Sequence, residues 1–197
     1  MSEPWRRVLV LGGARSGKSG YAEQLASGIG GAVLYVATAT ADDEEMVARI
    51  AHHRAQRPAS WRTVEAPTAV AARTSAALRE LTADEEGIGT TERQQPEPTV
   101  LVEDLTLLLS NVFEVDAATA ERRATEEVDS LLQLPAHVVL VSNEVGLGIV
   151  PAYPLGRSFR DAMGRLNQHA AAECKEVVFL IAGLPLYLKG VATIELD

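Results

Sequence analysis

Eight consecutive residues, Gly12-Gly13-Ala14-Arg15-Ser16-Gly17-Lys18-Ser19, carry the clearest chemistry in this chain. They fit the pattern G-x-x-x-x-G-K-[ST]. Glycines at these spacings let the backbone curl until several N–H groups converge on phosphate oxygens. Lys18 then has the reach for β- and γ-phosphates, and the Ser19 hydroxyl suits Mg²⁺. Arg15 either adds charge to a phosphate or points to solvent. Such a loop works with a carboxylate at the end of another apolar strand. Thr99 to Val102 is an apolar run that leads into Glu103 and Asp104. Glu103 is expected near the metal, and Asp104 is equally suited to cap the helix that follows. Together these residues point to a nucleotide-dependent transferase.

A second chemical candidate is histidine. Asp43 to Gln56 reads as a helix opened by acidic residues, which suit a helix N-terminus, and stopped before Arg57-Pro58. At roughly 100° per residue, Met46, Val47, Ile50 and Ala51 form one apolar stripe. His53 falls at the edge of that stripe and reads as a packed histidine. His52 falls on the opposite side with Glu45, Arg49 and Gln56, where it could meet a ligand. Histidine can act as a nucleophile toward phosphorus through a phosphoramidate. Periodicity alone favours a solvated His52. Arg54, Arg57 and Arg62 would suit nucleotide phosphates or a solvated face equally well.

The elements that must position these groups alternate between short apolar runs and amphipathic stretches, the signature of an α/β protein with a mainly parallel sheet. Strands are expected at Val8–Leu11, Val33–Ala37, Trp61–Val64, Thr99–Val102, Val138–Val141 and Val177–Ile181. A last strand is expected near Leu186–Leu188, after a Gly183-Leu184-Pro185 turn. Helices are expected at Lys18–Ser27, Ala69–Leu81, Leu105–Phe113, Ala118–Leu132 and Phe159–Glu173. Thr82 to Pro98 is polar, contains Gly87, Gly89, Pro96 and Pro98, and reads as a surface loop. No internal repeat is evident.

With 197 residues, the chain is expected to form a single domain spanning 1–197. A formal charge of −9 argues against a nucleic-acid role, because a polyanion would be repelled over most of the surface. A small phosphate-bearing ligand stays compatible, since backbone N–H groups bind it locally. The lone cysteine, Cys174, excludes an internal disulfide and a Cys-rich zinc site. No signal-peptide pattern and no membrane-length apolar run are present, so a cytoplasmic protein is expected.

Beyond these readings, the chain resembles the bifunctional adenosylcobinamide kinase/adenosylcobinamide-phosphate guanylyltransferases of cobalamin biosynthesis. The resemblance rests on Gly12–Ser19, Tyr35–Ala39, Asp43–Met46, Arg49–His53, Arg57-Pro58 and Trp61–Glu65. It continues through Val141–Pro151, Phe159–Asp161 and Gly164–Gln168, in order across nearly the whole chain. It implies a RecA-like P-loop fold, a homotrimer and a corrinoid substrate. It also implies two reactions: phosphorylation of adenosylcobinamide by GTP or ATP, then GMP transfer from GTP to the resulting phosphate. The first histidine of the pair, here His52, would carry GMP covalently. Nucleotide contacts would fall on Gly12, Gly13, Ala14, Arg15, Ser16, Gly17, Lys18 and Ser19, on Ala37, Thr38 and Ala39, and on Arg54, Ala55, Gln56 and Arg57. Glu65, Glu103 and Asp104 would complete them, with Mg²⁺ on Ser19 and Glu103. A plain P-loop kinase without guanylyl transfer is the alternative. Two features depart from the expected pattern: the long acidic 82–98 stretch, and a Glu103-Asp104 pair in place of one carboxylate.

Overall fold

The computed structural model describes residues 5–40, 57–86, 96–113 and 116–190. Within them, strand β1 (Arg7–Gly12) enters the glycine loop, and helix α1 (Lys18–Ile29) leaves it. Strands β2 (Val33–Ala37) and β3 (Arg62–Glu65) follow, then helix α2 (Val70–Glu86), strand β4 (Thr99–Glu103), and helices α3 (Leu105–Asn111) and α4 (Ala117–Leu132). Strand β5 (His137–Asn143), helix α5 (Pro154–Glu173), and strands β6 (Glu176–Ile181) and β7 (Leu184–Lys189) complete the order.

The seven strands form one sheet in the order β3-β2-β4-β5-β1-β6-β7. All neighbours are parallel except β6 and β7, which pair antiparallel. β1 lies between β5 and β6, so the chain leaves the centre of the sheet after its first strand. Ligands of open α/β sheets bind beyond the carboxyl ends of the strands, at such reversals of order.

Successive strand residues feed opposite faces. Val8, Val10, Tyr35, Leu101, Val139 and Val141 pack with Ala22, Leu25 and Ala26 of α1. Leu9, Leu34, Val36, Val100, Val138 and Leu140 pack on the other side with residues of α2, α3, α4 and α5. This explains why the inner strands read as continuous apolar runs rather than alternating ones. Among the described residues, no helix is long and apolar enough to cross a membrane.

Three expected boundaries need correction. Helix α2 does not end at Leu81 but continues through Glu86, since Thr82 to Glu86 contain no proline or glycine to break it. The turn before the last strand is Ala182-Gly183, both at positive φ, while Leu184 and Pro185 already belong to β7. Pro185 is tolerated because β7 is an edge strand. Helix α5 starts earlier than expected, with Pro154 in its first turn, a position where the missing N–H costs nothing. The helix expected over 43–56 lies outside the described residues.

Candidate active site

The glycine loop closes on itself as the motif requires. The Ser16 N–H donates to Gly13 O at 3.3 Å, and Gly17 turns into α1 at φ 93. A Cβ on Gly12 would sit 2.3 Å from Ser16 Oγ and 3.0 Å from Leu180 O, so a larger residue would force its neighbours to shift. Two neighbouring segments hold the loop from outside. Glu144 N–H donates to Gly12 O at 3.0 Å, and Gly183 N–H donates to Ser16 O at 2.9 Å. A Cβ on Gly17 would meet Gly183 Cα at 3.2 Å. Helix α1 has no side-chain cap and no acidic residue in its first turn. Its N-terminal N–H groups therefore remain available for an anion, as a phosphate site needs.

Lys18 is 6% exposed, and its Nζ lies 3.5 Å from Gly13 O, folded back over the loop. Ser19 Oγ donates to Glu103 Oε1 at 2.5 Å. Ser19 and Glu103 are thus brought together from the first turn of α1 and the end of β4. The other carboxylate oxygen, Glu103 Oε2, is buried with no partner among the described residues, and so is Ser16 Oγ. Burial pushes the Glu103 carboxyl up to about 7, with Asp104 adding to the shift and the Ser19 hydrogen bond and Lys18 opposing it.

That shift has a testable consequence. The folded-state value lies above the ordinary carboxylate value, so the charged form costs stability progressively between about pH 4.5 and 7 and fully above that. Glu103→Gln retains an acceptor for Ser19 and removes the charge. We expect it to stabilise the ligand-free protein by about 2 kcal/mol at pH 8 and to change little at pH 4.5. Urea denaturation at both pH values measures this, and an equal effect at both would refute a charge origin.

Asp104 does what a helix cap does: its Oδ1 accepts from Leu107 N–H at 2.8 Å at the start of α3. Its carboxyl is also raised, mainly by burial. Its Oδ2 accepts from Asn143 Nδ2 at 3.1 Å, and the same amide reaches Thr106 Oγ1 at 2.8 Å. Asn167 Nδ2 donates to Asn143 O at 3.0 Å and ties α5 to this corner. The Glu103–Asp104 peptide is cis.

Thr38, fully buried, fixes that peptide from β2. Its hydroxyl lies 2.9 and 2.8 Å from the carbonyl oxygens of Glu103 and Asp104, and accepts from Asp104 N–H at 2.7 Å. Asn111 Nδ2 bridges Thr38 O at 2.8 Å and Pro67 O at 2.9 Å. Ala37 stands in register with Glu103 on one side and Glu65 on the other. Glu65 is exposed at the end of β3. Arg57 packs on β2, its Cζ 3.3 Å from the Tyr35 ring centroid.

The structure therefore brings Gly12–Ser19, Ala37–Ala39, Glu103 and Asp104 to one edge of the sheet, with Arg57 and Glu65 on its β2–β3 side. His52, Arg54, Ala55 and Gln56 lie outside the described residues. Sequence reasoning missed the roles of Thr38 and Asn111 as braces, because a single polar residue after a strand carries no pattern of its own.

Among solved structures, the fold is similar to an ATPase domain, with a TM-score of 0.52 at 12% identity over 89% of this chain and 70% of that one. That likeness establishes a P-loop ATPase-type fold and nothing finer. A family model described as cobinamide kinase/cobinamide phosphate guanyltransferase matches residues 8–188. The chain belongs to the cobinamide kinase/cobinamide phosphate guanyltransferase family. It is 46% identical over 189 residues to the bifunctional adenosylcobalamin biosynthesis protein CobP of Pseudomonas aeruginosa, covering 93% of this chain and 98% of the relative. It is 39% identical to the CobU proteins of Salmonella typhimurium and Escherichia coli, over 92% of this chain and 99% of each. The family's match spans the glycine loop, the Ser19–Glu103 pair and the last strand alike.

Proposed function

We propose that this enzyme phosphorylates adenosylcobinamide with GTP or ATP. It then transfers GMP from GTP to adenosylcobinamide-phosphate, giving adenosylcobinamide-GDP and pyrophosphate in the assembly of adenosylcobalamin. The observation that carries this reading is the loop Gly12–Ser19 closed beside Ser19–Glu103, in a chain of this family.

A divalent cation fits the site. Ser19 Oγ and the Glu103 carboxylate are adjacent, and the carboxylate keeps one buried oxygen without a partner among the described residues. No group of three or more acidic, His or Cys side chains converges there among the described residues, so the nucleotide phosphates and water must complete the shell, as Mg²⁺ sites commonly allow. When bound, such an ion neutralises charge on the β- and γ-phosphates. Lys18 supplies a fixed positive charge to the same oxygens, and the α1 N–H groups orient them.

In the kinase reaction the substrate hydroxyl oxygen attacks the γ-phosphorus, loses its proton, and the nucleoside diphosphate leaves. In the transferase reaction a His52 ring nitrogen attacks the α-phosphorus of GTP and pyrophosphate leaves. A phosphate oxygen of adenosylcobinamide-phosphate then attacks the same phosphorus and displaces the histidine. In this reading Glu65, at the exposed end of β3, accepts from the guanine N1–H and N2 amine. Glu65→Gln should lose most of the preference for GTP over ATP, about tenfold. Competition binding of the two nucleotides measures it, and an unchanged preference rejects the contact.

The reading includes a cytoplasmic homotrimer. Large apolar side chains stand exposed at Leu147, Ile149, Val150, Tyr153 and Leu155, and at Ile181, Leu184, Leu186 and Leu188 of the β6–β7 hairpin and its turn. A surface of this kind supports assembly.

The deciding experiment incubates the protein with a divalent cation and GTP labelled at the α-phosphorus. Acid-labile covalent label that chases onto adenosylcobinamide-phosphate supports the two-reaction reading. Absence of label, with γ-phosphate still transferred to adenosylcobinamide, would leave a plain P-loop kinase.

A further inference from the structure

One side chain to which neither the glycine motif nor the family resemblance assigns a role lies against Arg57. Tyr35 of β2 is 2% exposed, and its ring faces the Arg57 guanidinium at 3.3 Å from Cζ to centroid. The ring also packs against Trp61 at 6.4 Å, tilted by 30°. Trp61 N–H donates to Pro58 O at 3.0 Å, closing the turn that brings Arg57 and Trp61 to the same ring. Tyr35 stands on β2, beside the strand β4 that ends at Glu103. Arg57 Nε is buried with no acceptor among the described residues.

We propose that Tyr35 is a positioning residue for nucleotide binding: its ring shelves the Arg57 guanidinium so that its N–H edges meet a nucleotide phosphate. This rests on the proposed nucleotide contact of Arg57. A guanidinium held flat on a ring keeps its donor fork aligned for an anion, which a lysine cannot imitate.

The test is calorimetric binding, with magnesium, of a GTP analogue carrying a methylene between the α- and β-phosphorus, so that binding is read without guanylyl transfer. Tyr35→Phe keeps the shelf and should bind within about twofold of the parent. Tyr35→Leu should weaken binding by about tenfold, and Arg57→Ala by at least as much. The double variant Tyr35→Leu/Arg57→Ala should bind like Arg57→Ala alone, because the ring acts through the arginine. Losses that multiply in the double variant, or full affinity in Arg57→Lys, would overturn the proposal. Should Tyr35→Leu fail to fold, Arg57→Lys still decides, since it leaves the core intact. Tight analogue binding without corrinoid turnover would instead count against the proposed function and leave this inference standing.

Discussion

Replacing His52 by alanine is expected to abolish guanylyl transfer from GTP while leaving γ-phosphoryl transfer to adenosylcobinamide within about threefold. The two reactions attack different phosphorus atoms. The kinase step uses the substrate hydroxyl as nucleophile and needs only positioning and charge neutralisation around the γ-phosphate. The transferase step as proposed uses a nitrogen nucleophile, and without it the proposed covalent intermediate cannot form. The helical wheel sets His52 apart from the stripe of Met46, Val47, Ile50 and Ala51, and the family resemblance independently selects the first histidine of the pair. The nitrogen must also be neutral to attack, so guanylylation should fall away below roughly pH 6 as the imidazole protonates. Covalent label from α-labelled GTP, followed against pH with kinase turnover as control, measures both effects. Label persisting in His52→Ala, or a profile that stays flat well below that pH, would assign the nucleophile elsewhere.

Lys18→Ala should depress both reactions by about 10³-fold. The ammonium is almost fully buried and folded over Gly13 O, so its position is set before any phosphate arrives. Its charge also draws down the carboxyls of both Glu103 and Asp104. Removing it therefore takes away a phosphate partner and leaves the carboxylates more protonated at neutral pH, which weakens cation binding. Steady-state kcat/KM for each half-reaction decides the matter. A fall in only one of them would mean that the two reactions do not share this loop.

Much of this architecture is legible in the order of residues alone. The inner strands declare themselves as apolar runs because each is covered on both faces, and Val8 to Leu11 followed by Gly12 announces the phosphate loop. Glu103 could be placed beside Ser19 because a carboxylate at the end of an apolar strand has few other uses in such a fold. The continuation of α2 past Leu81 is not legible: a run of Thr, Ala, Asp and Glu is polar enough for a loop and helical enough for a helix. Thr38, Asn111 and Tyr35 are silent for another reason. Their significance lies in partners that are 66, 44 and 22 positions away in sequence, and proximity across a sheet leaves no local pattern.

The two backbone hydrogen bonds that hold the phosphate loop from outside, from Glu144 to Gly12 and from Gly183 to Ser16, bear on the rate of catalysis as well as on shape. They join the loop to the ends of β5 and β6, the two neighbours of β1. A loop tethered to both flanking strands has little conformational freedom left to surrender when a triphosphate arrives. The entropy of ordering it has been met during folding. The binding energy of the triphosphate is then free to act on the reacting phosphorus rather than on assembling the cradle. On the proposed mechanism, the same tethers would let one unmodified cradle serve attack at two different phosphorus atoms, leaving the choice between them to the nucleophile that approaches.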